Sequence, residues 1–192
     1  MAMCLSLLAF GDAVVASDDL ADVFANLSLP VPTSTLIVAC HGFGCNYRTE
    51  IVLTTADRAR LNTIMAAGRA TPAQERYAVA NAVVWLDRRI GVAAGTTHRI
   101  AEAGARQSGD PGQMDCIDIS ANNTSLFVVL DRLHLLHFHH VQAPYSGGYH
   151  MLPHTTAVLG ENKTGLEWAF DNWTHKYGDQ PDVLTLAQWN AR

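Results

Sequence analysis

The rhythm of apolar positions changes along this chain, and each change marks an element. Leu27-Ser28-Leu29-Pro30-Val31-Pro32-Thr33 disfavours helix through its Pro-x-Pro spacing and reads as an extended connector. Thr35–Ala39 is a continuous β-branched run, as expected of a buried strand. A turn at His41-Gly42-Phe43-Gly44 leads to a second short strand, Thr49–Leu53. Helical spacing then takes over. Thr55 is the expected N-cap of a helix over Ala56–Ala67, with Leu61, Ile64 and Met65 on its apolar face and Gly68 as its stop. Thr71 caps the next helix, with Pro72 at its first position and Gln74 three residues after the cap, and Gly91 is the expected end after Ile90.

Gly95–Gly112 is polar and irregular, and it opens into a helix expected over Asp115–His137 with Phe127, Leu130, Leu133 and Leu136 facing the core. Phe138–Ala143 reads as a strand, Tyr145-Ser146-Gly147-Gly148-Tyr149 as a loop, and His154-Thr155-Thr156-Ala157-Val158-Leu159 as another strand. Gly160-Glu161-Asn162-Lys163-Thr164-Gly165 is a hairpin loop leading to Glu167-Trp168-Ala169-Phe170-Asp171, and Asp182–Trp189 is a last short element. Helices first, then a long helix, then antiparallel strands make an α+β architecture. The expected organisation is an N-terminal segment over residues 1–34, a remnant signal or extended arm, and one domain over residues 35–192.

The hairpin carries a geometric expectation. Counting outward in step from Gly160 opposite Gly165 brings His154 opposite Asp171. The two side chains would share a face, about 5 Å apart at Cβ. A one-residue slip would separate them. Upstream, a Gly/Pro turn, Gly109-Asp110-Pro111-Gly112, delivers Cys116 to the start of the long helix. A helix N-terminus and a nearby imidazolium both favour a thiolate, whereas Asp115 and Asp118 oppose a further negative charge. Gln113 could offer its amide to an oxyanion, beside the backbone N–H of Cys116.

These residues resemble the transglutaminase-like cysteine peptidases of the papain-like superfamily. Bacterial members carry a Gly-Asp-Cys-Glu-Asp type motif, a His-Ala-Val-Leu type strand and a Leu-Asp-Asn type strand end. The corresponding stretches here are Met114-Asp115-Cys116-Ile117-Asp118, His154–Leu159 and Phe170-Asp171-Asn172-Trp173. The resemblance spans roughly Gln113–Trp173, about a third of the chain. It implies a cysteine-bearing helix packed on an antiparallel sheet. It also implies amide hydrolysis of a peptide or protein substrate by a Cys116–His154–Asp171 triad. Some members bind calcium through acids beside the cysteine. Asp115 and Asp118 match such positions and Ile117 does not, so the expectation is of no cofactor. The alternative is an inactive binding module on the same fold.

Composition narrows the picture. A length of 192 residues with 48% hydrophobic and 16% charged content indicates an ordered single domain. A net charge of −5, with 13 Lys and Arg in no block, gives no reason to expect a nucleic-acid partner. No apolar stretch is long enough for a transmembrane helix. Oligomeric state leaves no mark on the sequence. Met3–Phe10 is apolar and Ala13-Val14-Val15-Ala16 offers small residues for cleavage, but no positive n-region precedes them. The segment reads either as a shortened signal peptide or as an element packed on the core. Cys40 and Cys45 could close a small loop in an oxidising compartment or remain thiols in the cytosol. The periplasm or cell envelope is favoured over the cytoplasm. Cys40, His41 and Cys45, with the histidines at 134, 137, 139 and 140, form a competing metal-ligand reading. His134 and His137 are otherwise helix-end residues.

Overall fold

The computed structural model describes residues 15–149 and 152–192; the apolar stretch read above as a shortened signal lies outside them, apart from its last small residues. The fold is α+β with antiparallel sheets. Helix α1 (Val15–Asn26) leads to a hairpin of β1 (Leu36–His41) and β2 (Tyr47–Val52). Helices α2 (Thr55–Ala66) and α3 (Pro72–Ala94) follow, and then an irregular stretch reaches α4 (Cys116–Arg132). Strands β3 (His139–Tyr149), β4 (Leu152–Glu161), β5 (Glu167–Asp171) and β6 (Asp182–Thr185) form a four-stranded meander, closed by the short helix α5 (Leu186–Trp189).

Phe24 of α1 and Leu29 beyond it are buried in the same cluster as Ile37, Leu61, Val83, Phe127, Leu159 and Phe170. The described residues before β1 thus contribute side chains to this cluster. Helix α4 is the axis of the molecule. It packs on β1, on β3 and β4, and on α3, and every residue from Asp118 to Leu130 is buried. Polar groups on such a helix need partners. Asn122 accepts the Cys40 N–H at 2.7 Å and donates to the Cys40 carbonyl at 2.9 Å, serving β1 as a neighbouring strand would. Asn123 donates to Asn172 Oδ1 at 2.8 Å and to the Phe170 carbonyl at 3.3 Å. The helix is thus pinned to both sheets.

Several boundaries differ from expectation for local reasons. Thr54, not Thr55, caps α2, because only Thr54 has an acid three residues on: its hydroxyl accepts the Asp57 N–H and Asp57 accepts the Thr54 N–H. Gly91 does not end α3; the Tyr177 ring lies where its Cβ would stand, and the helix runs on to a left-handed Gly95. Helix α4 stops at Arg132 instead of His137. His134 takes φ 56°, and its N–H bonds Asp131 while that of Leu135 bonds Leu130, a Schellman stop with both leucines buried. The expected loop at Tyr145–Tyr149 is strand. A register shift between Gln142 and Tyr145 accommodates Pro144, and pairing with β4 then resumes.

Candidate active site

Cys116 occupies the first position of α4, with Asp115 as its N-cap. The approach to it is fixed by a left-handed turn. Gly42, Phe43, Gly44 and Cys45 take φ of 76°, 70°, 62° and 59° in succession, and a disulfide joins Cys40 to Cys45. Left-handed backbone costs a side-chain-bearing residue about 1–2 kcal/mol, so something must hold this turn. Successive amides in such a turn form an anion-binding concavity, and acids from the start of α4 fill it. Asp118 accepts the N–H of Phe43 at 2.7 Å and of Cys45 at 2.6 Å, and Asp115 accepts that of Gly44 at 2.9 Å. The Gly42 N–H goes to the Gln113 carbonyl at 2.8 Å, and the Tyr47 ring occupies the place of a Gly42 side chain.

This turn accounts for two acids beside a cysteine. Both carboxylates are engaged with backbone amides, and among the described residues no group of three or more potential ligands forms a metal site. Burial, reinforced by the charge of Asp115, raises Asp118 to about 7 against the opposing pull of its three amide donors. The competing ligand set at Cys40, His41 and Cys45 is also spent. The two cysteines are bonded to each other, and His41 donates from Nδ1 to the Pro111 carbonyl at 2.7 Å while Nε2 meets Thr49 Oγ1 at 3.0 Å. Of the histidines near residue 137, His139 is buried against Glu75. Cys116 is the free cysteine among the described residues.

His154 and Asp171 meet, although not through the expected register. The hairpin pairs Ala157 with Phe170 and Gly160 with Glu167, two positions out of step with the expected pairing. Gly165 is the cause. At φ 70° it belongs to the turn, its N–H bonding the Glu161 carbonyl, and the ladder closes between Glu161 and Leu166. A shift of two preserves the faces of both strands. His154 and Asp171 therefore meet diagonally, with Nε2 2.6 Å from Oδ2 and both residues 2% exposed.

Burial alone would lower the pKa of His154. The hydrogen bonds with Asp171 and with the Cys116 side chain, together with the charges of both groups, outweigh it and raise the pKa to about 9. The three candidates named from the sequence are thus in one cluster. Gln113 is buried elsewhere. Its Oε1 accepts the Ile100 N–H at 3.0 Å and its Nε2 donates to the His98 carbonyl at 3.3 Å, a fastening duty in place of the expected oxyanion role. The Cys116 backbone N–H lies at the start of the α4 ladder, where no residue four positions earlier in the helix accepts it.

Two tryptophans complete the surroundings of Asp171. Asp171 Oδ2 also accepts the Trp189 indole N–H at 2.8 Å, and Oδ1 accepts the Trp173 backbone N–H at 3.1 Å. The Trp173 and Trp189 rings lie 4.6 and 5.1 Å from the His154 ring. Trp173 follows Asp171 by two residues in the turn that leaves β5, where an aspartate side chain accepting the N–H two residues on is a local turn motif. Nothing local marked Trp189. A buried pair, Arg99 and Asp87, holds the loop after Asp171. Arg99 bonds both Asp87 oxygens and donates to the His175 carbonyl at 2.8 Å, and Asp87 accepts the Gly178 N–H at 2.7 Å.

No protein-family model matches the chain, and neither does any curated protein or solved structure. No helix among the described residues is long and apolar enough to cross a membrane.

Proposed function

We propose that this protein is a cysteine hydrolase of transglutaminase-like type that cleaves amide bonds through an acyl-enzyme. The observation that carries the reading is the position of His154, between Asp171 on Nε2 and the Cys116 side chain, with its pKa raised to about 9. A buried imidazole so placed is charged at neutral pH and favours the thiolate of its partner.

The chemistry follows from the placement. The Cys116 thiol proton passes to the His154 nitrogen not held by Asp171. The sulfur attacks the amide carbonyl carbon, and the carbonyl electron pair moves to oxygen, where the Cys116 N–H meets it. Collapse of this intermediate breaks the C–N bond, and the amine leaves with the proton from His154. Water, deprotonated by His154, then releases the acid and restores the thiol. A competing amine in place of water would give transamidation. Asp171 orients the imidazole and stabilises its cation. The substrate class this implies is a peptide or protein amide, and the Cys40–Cys45 disulfide supports the periplasm or cell envelope as the compartment.

The test is the pH dependence of Cys116 alkylation by iodoacetamide, with the labelled peptide identified by mass, in the native chain and in His154→Ala. A free thiol titrates near about 8.5. Reactivity of Cys116 well below that pH, lost in His154→Ala, supports the reading. An ordinary profile in both proteins refutes it and leaves a binding module on this fold.

A further inference from the structure

The site is walled by a residue far along the chain from its chemistry. Trp189 lies on α5, a helix of four residues, yet it is 1% exposed and is held from several directions. The Thr185 hydroxyl accepts the Gln188 N–H and Gln188 Oε1 accepts the Thr185 N–H, a capping box that sets the start of α5. Arg192 bonds Asp182 at 2.7 Å and ties the end of α5 back to β6. Gly147 of β3 leaves room for the indole. A Cβ there would stand 3.2 Å from the Trp189 ring and would collide with Asn190. Tyr145 meets the same ring edge-on at 6.0 Å. A strand, a helix cap and an ion pair thus converge on one indole, whose N–H points at Asp171 Oδ2, the oxygen that also grips His154.

We propose that Trp189 is a positioning residue for the Cys116–His154 pair, acting through Asp171. The inference rests on the functional reading above and deepens it. Asp171 is 2% exposed, so water cannot supply its hydrogen bonds. Three donors do so: His154, the Trp173 backbone and the Trp189 indole. Without the indole N–H, Oδ2 is one donor short in a buried site, and such a group reorients to recover its partner. Turning the carboxylate loosens its hold on His154, and the imidazolium that favours the Cys116 thiolate is then less stabilised. The role belongs to the N–H and not to aromatic bulk. The Trp173 ring is as close to His154, but its indole N–H goes to the Ala103 carbonyl at 3.3 Å.

That contrast supplies the experiment. Trp189→Phe and Trp173→Phe both keep a ring beside His154, and only the first removes a donor from Asp171. Each is made in the full chain on a Cys4→Ser background, and Cys116 alkylation is followed between about pH 5 and 9 alongside thermal unfolding. Trp189→Phe should lower the rate near pH 6 by about tenfold and move the profile toward that of a free thiol, and it should fall further than Trp173→Phe, which keeps every donor to Asp171. If Trp189→Phe follows the parent, or if both variants fall equally, the N–H assignment is overturned while the catalytic reading stands. An ordinary parent profile that His154→Ala does not change defeats the catalytic reading itself. Should Trp189→Phe not fold, NMR of the native chain gives the answer. The Trp189 indole N–H resonance should titrate with the His154 ring and shift further than that of Trp173, whose indole N–H bonds the Ala103 carbonyl; an unresponsive Trp189 resonance overturns the proposal.

Discussion

His139 and His154 are both buried, both stand on strands of the larger sheet, and both meet a carboxylate, His139 Nδ1 at 2.8 Å from Glu75 and His154 Nε2 at 2.6 Å from Asp171. Their second nitrogens differ. His139 Nε2 faces Arg76 Nη1 at 3.3 Å and Glu161 at 3.9 Å, and Arg76 itself bonds Glu161 at 2.7 Å and lies 3.6 Å above the Trp168 ring. Glu75 also accepts the N–H groups of His137 at 2.7 Å and Phe138 at 2.9 Å. Burial opposes its charge, but these donors and His139 outweigh it and hold its pKa below the ordinary value. That cluster is closed and fastens the connection after α4 to α3. Around His154 the second partner is a half-buried thiol at a helix start. Two buried histidine–carboxylate pairs thus differ in what meets the other nitrogen: charged neighbours that close the cluster in one, a thiol in the other.

The comparison breaks most sharply by substitution. His154→Ala should cut amide turnover by about 10²–10⁴-fold, the usual worth of a general base. His139→Ala should leave the alkylation profile of Cys116 unchanged. Equal losses in the two would dissolve the distinction. In stability the order reverses. Glu75→Gln unpairs a buried network and two amides, and should cost about 3 kcal/mol in urea unfolding with no change in Cys116 chemistry. An unfolding midpoint unmoved by this change would show that the cluster fastens nothing.

Removing the Cys40–Cys45 disulfide by a double Ala substitution frees a short loop and should cost about 2 kcal/mol. It should also slow Cys116 alkylation, because the turn amides that Asp115 and Asp118 neutralise lose their alignment. A stability loss without a kinetic one would confine the turn to a structural role.

Two pH effects sharpen the picture further. The pKa of His154 is raised from 6.5 to about 9, so its stabilising contribution is complete below 6.5 and lost as pH rises through about 9. The unfolding free-energy gap between the native chain and His154→Gln should narrow across that window. Asp118 is raised from 3.8 to about 7, so its contribution is complete below 3.8 and lost as pH rises through about 7. The gap to Asp118→Asn should narrow earlier, and this is the smallest effect expected. Gaps that stay flat with pH would contradict the placement of these groups.

What could be read from the chain followed from local rules. Pro72 after Thr71, the Gly/Pro turn before Cys116 and the alternation around His154 and Asp171 needed no partner beyond a few residues. They located the helix start and put the two strand residues on one face, even though Gly165 entered the turn and shifted the pairing by two. The Thr54 cap is legible too, because Asp57 stands three residues after it and Arg58 three after Thr55. Asp115 and Asp118 looked like an obstacle to a thiolate because the amides they neutralise belong to residues 43–45, about seventy positions away in sequence.

By itself, the sequence determined the elements with strong periodicity, the position of Cys116 at a helix start and the shared face of His154 and Asp171. These depend on propensity, capping and strand alternation, which act over a few residues. The tertiary structure alone decided what surrounds the carboxylates: that Asp118 serves the disulfide turn, that Gln113 serves residues 98–100, that Glu75 closes around His139 and that Trp189 completes Asp171. Each is a long-range contact, formed because a buried polar group must find a donor or acceptor wherever packing brings one.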